Sequence, residues 1–169
     1  YSLDNTEWKE IKTIEKTAAA SNTFSYKWDI SPLSEGTVYV RVRAYDGEGN
    51  ENVYENGILT NSYMVDRTAP SAIADFKAEG CEGYAALTWT APKEEDTAYY
   101  KIYRAEGENG EYKILVNQCM YSNYNDGTTG YGKTYRYKIT SVDTAGNESE
   151  ASNEAVAQVK KDTKAPVIH

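Results

Sequence analysis

The chain has 169 residues, a net charge of −8 and a mean hydropathy of −0.73. That charge repels nucleic-acid phosphates, and no run of Lys and Arg offsets it, so nucleic acid is not an expected partner. No apolar run approaches the ~20 residues of a membrane-crossing helix, so no membrane insertion is expected. Tyrosine dominates the aromatics, with 16 Tyr against 3 Trp and 2 Phe. Together with many Thr and Val, this suits half-buried pleated sheet.

In chain order, YSLD at 1–4 reads as the end of a central strand. Phe24, Tyr26 and Trp28 alternate with Ser25, Lys27 and Asp29, and Val38, Val40, Val42 and Ala44 form a matching inward face. A polar turn follows at 46–51. After Pro70, strands are expected over 72–78, over 84–90 (Ala85, Leu87 and Trp89 on one face), and over 99–104. In the last of these, Tyr100 and Ile102 share one face while Tyr99, Lys101 and Tyr103 share the other. Segments 112–116, 119–126 and 154–159 read as further strands. Over 134–142, Tyr135, Tyr137, Ile139 and Ser141 point one way, and Arg136, Lys138 and Thr140 the other. Seven short strands with no helix of consequence predict a two-sheet sandwich over 72–160.

Two motifs recur. Asp46-Gly47-Glu48-Gly49-Asn50-Glu51 matches Asp143-Thr144-Ala145-Gly146-Asn147-Glu148, 97 residues later. The Asp-x-x-Ala-Pro motif ending at Pro70 returns 96 residues later, ending at Pro166. Gly49 and Gly146 can take positive φ, Asn50 and Asn147 tolerate the same region, and the aspartates can accept backbone amides. The polar motif is therefore expected to close a hairpin. Calcium is the other reading, but each loop supplies too few of the 6–8 oxygens that ion takes. The proline motif marks a joint, because proline removes an amide and restricts the residue before it. A period near 96 is the size of one sandwich domain. The expected layout is therefore a partial module over 1–66, a linker at 67–71, a full module over 72–160, and a joint leading to a third module at 161–169. One period counted back from Pro70 runs past Tyr1, so the first module is expected to be the C-terminal part of a sandwich.

LTWTAP, YYKIYRAE, YNDGT and GKTYRYKITSVDTAGNESEAS, in that order, resemble a bacterial fibronectin type III module over 70–160. The resemblance implies that Trp89 is the core tryptophan of the second strand. It also implies that Tyr135 is a tyrosine corner, hydrogen-bonded to backbone at the turn before its strand. Residues 1–66 resemble a bacterial immunoglobulin-like surface repeat, in which Val38 stands where the second module has Tyr135. The implied fold class is all-β, with tandem antiparallel β-sandwiches and an incomplete first module. The family's Arg-Gly-Asp adhesion tripeptide is absent.

Catalytic chemistry is not expected. The one histidine, His169, is terminal, so no Ser/His or Cys/His pair is available. No His/Cys cluster has metal spacing, and neither a metal nor a cofactor is expected. Cys81 and Cys119 either pair or stay idle thiols; the topology sets them near opposite ends of a sandwich, which favours thiols. Asn147-Glu148-Ser149 fits a glycosylation sequon inside a hairpin turn. The candidate ligand face is the outer stripe of Tyr99, Lys101, Tyr103, Arg136 and Lys138, where rings could stack on sugars. Cross-strand Tyr–cation pairs also stabilise an exposed sheet unaided. The expected role is a non-catalytic spacer in a large secreted or surface-attached bacterial protein, of the kind that resemblance associates with carbohydrate-active enzymes and adhesins. Its expected partners are flanking domains of the same chain. The alternative is recognition of cell-wall or host glycans, or of a protein, through the tyrosine stripe.

Overall fold

The computed structural model describes residues 1–15, 24–51 and 60–161. Among them the regular elements are nine strands and no helix. The chain divides into two compact units, one ending at Arg67 and one starting at Thr68. Pro70 is a buried residue of the second unit, whereas Pro166 lies outside the described residues.

In the first unit, β1 (Gly36–Arg41) pairs antiparallel with β2 (Thr60–Val65), placing Val38 opposite Tyr63 and Gly36 opposite Val65. The other edge of β1 takes Ser2, whose amide and carbonyl exchange bonds of 2.9 and 2.8 Å with Tyr39. The Lys9 amide then donates to the Tyr1 carbonyl at 2.8 Å. Asp4 closes the turn between them, its Oδ1 accepting the Thr6 and Glu7 amides at 2.8 and 2.9 Å.

Two expectations need correction here. Residues 24–28 form no strand, because no described segment pairs with them; Phe24 and Tyr26 are exposed. Trp28 is half-buried, its ring centroid 4.9 Å from that of Tyr1. The inward face also stops short. Among the described residues the ladder ends at Arg41, and Val42 (81% exposed) and Ala44 beyond it are exposed.

The second unit is a two-sheet sandwich. One sheet has the order β3 (Lys77–Gly80), β4 (Ala85–Thr88), β7 (Asn123–Asp126). The other has the order β6 (Lys113–Cys119), β5 (Thr97–Glu106), β8 (Thr134–Asp143), β9 (Ala155–Gln158). The named strands all pair antiparallel, and one isolated parallel bridge joins Glu82 to Lys160. Alternation sets the core: Leu87 and Trp89 face Tyr100, Ile102, Tyr135, Tyr137 and Ile139 across the gap. The Trp89 ring meets Phe76 and Tyr100 edge-on, with centroids 6.0 and 5.2 Å away. Such pairs add to the area they bury.

The first strand of this sandwich begins later than 72, at Lys77. Asp75 instead binds across to Thr90, accepting its amide at 3.0 Å and its hydroxyl at 2.6 Å. A side chain replaces the ladder there, and Ile73 and Phe76 are still buried. At the end of β3 the two sheets nearly touch. A Cβ on Gly80 would lie 1.7 Å from the Gln158 carbonyl oxygen, so only glycine fits. Cys81 and Cys119 are unpaired thiols, Cys119 buried and directed at the Tyr121 carbonyl at 3.3 Å.

Candidate functional site

The stripe of Tyr99, Lys101, Tyr103, Arg136 and Lys138 lies on the outer face of the four-stranded sheet, each residue partly buried. Register brings them together: Tyr103 is opposite Lys138, and Lys101 opposite Thr140. Two glutamates outside the predicted set decide what this face can do. Glu148 forms an ion pair with Lys101 and accepts the Tyr103 hydroxyl at 2.8 Å and the Thr140 hydroxyl at 2.7 Å. Burial pushes its carboxyl up, but the bonds from Lys101, Thr140 and Tyr103 outweigh this and hold it below the ordinary range. The Glu148 bond raises Lys101 correspondingly.

Glu154 does the same one strand over. It accepts Arg136 Nη1 at 3.1 Å and the Tyr112 hydroxyl. Burial, then that contact, pushes Tyr112 up to about 12. Each of the other two Arg136 nitrogens also donates: Nε to the Gly107 carbonyl at 2.9 Å and Nη2 to the Gly110 carbonyl at 2.8 Å. Its guanidinium and the Lys138 ammonium sit 5.2 and 5.1 Å from the Tyr112 ring. Lys101, Arg136 and Lys138 are thus matched to carboxylates, carbonyls or a ring of their own sheet. Tyr99 lies beside this network, opposite Val142.

The repeated turns match bond for bond. In the first, Asp46 Oδ1 accepts the Glu48 and Asn50 amides at 3.0 and 2.8 Å, and Oδ2 accepts Asn50 Nδ2 at 2.8 Å. In the second, Asp143 Oδ1 accepts the Ala145 and Asn147 amides at 2.9 and 2.8 Å, and Oδ2 accepts Asn147 Nδ2 at 2.8 Å. Gly49 and Gly146 have φ of +85° and +92°. Both aspartates are held below the ordinary carboxylate range. Asp46 is lowered chiefly by Asn50, whereas the bonds to Asp143 work against burial. Each carboxylate accepts three bonds from its own loop. The sequon amide of Asn147 donates to Asp143 in this same turn.

A third cluster was not singled out in the sequence. Asp126, fully buried, accepts Arg104 Nη1 at 2.7 Å, the Tyr137 hydroxyl at 2.9 Å, and the Thr128 amide and hydroxyl at 3.0 and 2.7 Å. Burial raises its pKa, and the bonds from Thr128, Arg104 and Tyr137 overcome that and lower it. Arg104 also lies 5.0 Å from the Tyr135 ring. The Tyr135 hydroxyl accepts the Gly130 amide at 3.0 Å. That is a side chain tying the turn before β8 to the strand itself. The sequence signal was YNDGT, an aspartate directly before a turn.

These features place the second unit in the fibronectin type III class of sandwich. In fold it matches the third fibronectin type III domain of a human protein, with a TM-score of 0.50 and 17% identity over 60% of this chain and 92% of that one. No family model matches the chain. Among proteins with a stated activity, it is similar to an amylopullulanase of Thermoanaerobacter thermohydrosulfuricus, 31% identical over 156 residues. It is also similar to an exo β-1,2-glucooligosaccharide sophorohydrolase of Parabacteroides distasonis, 30% identical over 115 residues. These matches cover 92% and 67% of this chain, but only 9% and 16% of the relatives' own lengths.

Proposed function

We propose that this chain is a non-catalytic, structural part of a large secreted or surface-attached bacterial carbohydrate-active enzyme, where it acts as a spacer between other domains. The observation that carries this reading is the 31% identity over nearly the whole chain to a stretch amounting to 9% of an amylopullulanase. Extracellular placement rests on the same support, glycoside hydrolases being often extracellular. The outer sheet face agrees with a spacer. Its cations and tyrosines stiffen one another through Glu148 and Glu154, as exposed cross-strand pairs do.

Excision of the segment from the parent enzyme is the test. Expected is an unchanged kcat/KM on a short soluble oligosaccharide, with altered activity on the insoluble polymer. A collapse on the short substrate would overturn the reading. So would saturable binding of the isolated chain to a glucan that Tyr99→Ala and Tyr103→Ala abolish, since that is the signature of a recognition face.

A further inference from the structure

Among the described residues three glycines directly follow an Asn or Asp: Gly47, Gly110 and Gly127. Such a pair shares one chemistry. The glycine amide nitrogen, unhindered by a Cβ, can reach the side-chain carbonyl carbon before it and close a cyclic imide. Two of the three pairs are protected. The carboxyls of Asp46 and Asp126 are held below the ordinary range, so both are carboxylates and resist attack by nitrogen. Asp126 is also fully buried, its oxygens accepting from Arg104, Tyr137 and Thr128. The Asp46 oxygens take the Glu48 and Asn50 amides. Asn109 differs on every count. Its side chain is a neutral amide, it is exposed, and no described residue bonds to it. Asn is also among the heat-labile side chains.

The hairpin between β5 and β6 fixes the glycine that follows it. Gly107 starts the reversal with a φ of +68°, and its amide donates to the Thr134 carbonyl at 2.9 Å. A Cβ on Gly110 would lie 2.2 Å from the Glu106 carbonyl oxygen, so only glycine fits there. Arg136 ties both ends of the loop, through the Gly107 carbonyl at 2.9 Å and the Gly110 carbonyl at 2.8 Å. Asn109 stands exposed between these two tied carbonyls. No described residue accepts the Gly110 amide, so its nitrogen is available to react.

We infer that Asn109 is a site of spontaneous hydrolytic modification, and that the change releases half of the Arg136 clamp. The Gly110 nitrogen gives its proton to solvent base and attacks Asn109 Cγ. The new N–C bond forms, the bond from Cγ to the side-chain nitrogen breaks, and ammonia leaves with a proton from solvent. One water then opens the imide. Opening at Cγ leaves aspartate. Opening at the Asn109 main-chain carbonyl leaves isoaspartate, whose main chain runs through Cβ and Cγ. In sum, water is taken up, ammonia is released, and a neutral amide becomes a carboxylate. Isoaspartate also lengthens the main chain by one carbon between the two carbonyls that Arg136 holds. Arg136 then loses the Gly110 carbonyl, and the start of β6 loosens.

The test ages the folded 169-residue chain at mildly alkaline pH beside a synthetic peptide of residues 105–113, which is also a tryptic fragment of the chain. Asn109 in that fragment is expected to convert to aspartate and isoaspartate at a rate comparable to the free peptide, with isoaspartate read by enzymatic methylation. Asn109→Gln should abolish the conversion and leave the thermal melt unchanged. Amide exchange at Ile114 and Leu115 should be faster in the purified isoaspartate form than in the fresh chain. Survival of Asn109 in the folded chain after the free peptide is consumed would overturn the inference. Unchanged exchange across β6 in the isoaspartate form would overturn the release of the clamp.

Discussion

The two polar turns are the same object in two settings. Around Asp46 and Asp143 the bonds agree to within 0.1 Å, yet Asp46 is exposed and Asp143 is 2% exposed. The glutamate after each Asn reaches back to the residue eight positions earlier, Arg43 in one turn and Thr140 in the other. Local sequence dictates the loop wherever it occurs. What differs is the layer beneath it. The second unit has a complete second sheet over its core, and the first has rings facing a groove. A turn motif therefore specifies a connection, and burial then decides how much stability the connection carries.

The largest expected effect lies in the closed core. Trp89→Ala should cost the second unit about 3–5 kcal/mol, since it removes the ring that links Phe76 to Tyr100. Trp28→Ala in the half-open first unit should cost much less. Thermal melts of both variants check the contrast, and equal losses would break it. Next comes the buried carboxylate. Asp126→Ala strips Arg104, Tyr137 and Thr128 of their acceptor at once and should cost about 3 kcal/mol by chemical denaturation. The matching Asp29→Ala, with one exposed backbone bond to lose, should leave the melt nearly unchanged.

The sheets were legible because alternation and burial share a period of two. Leu87, Trp89, Tyr100, Ile102, Tyr137 and Ile139 could each be assigned a face from the residues alone. The balance of charge on the outer face was not legible. Glu148 lies 47 positions from the Lys101 it neutralises, and Glu154 lies 42 from Tyr112, so only the fold brings them together. Asp126 and Arg104 are hidden for the same reason, 22 positions apart on different sheets. Alternation also overreached. Val42 and Ala44 continue the pattern of β1, yet Val42 is 81% exposed and Ala44 is exposed as well.

Smaller effects sharpen the comparison of the two turns. Asp143→Ala should cost about 2 kcal/mol, because part-buried amides lose a charged acceptor. Asp46→Ala should cost less, read by the same melts. Tyr135→Phe, which removes only the acceptor for the Gly130 amide, should cost about 1 kcal/mol. Acid should weaken the second unit. Asp126, Asp143 and Glu148 have depressed folded-state pKa values. Their contribution is therefore fully present above the unfolded carboxyl range, about pH 4, and is lost as pH falls below it. A denaturation series from pH 7 to pH 2 should show this loss, with a shallower slope for Asp126→Asn.

The claim that one unit is a closed sandwich and the other a half-open one is met most directly by amide hydrogen exchange on the 169-residue chain. The amides of Tyr137 and Ile139 in β8 should exchange only through global unfolding of their unit. Those of Val38 and Val40 in β1 should exchange orders of magnitude faster. Equal protection of β1 and β8 would contradict the account.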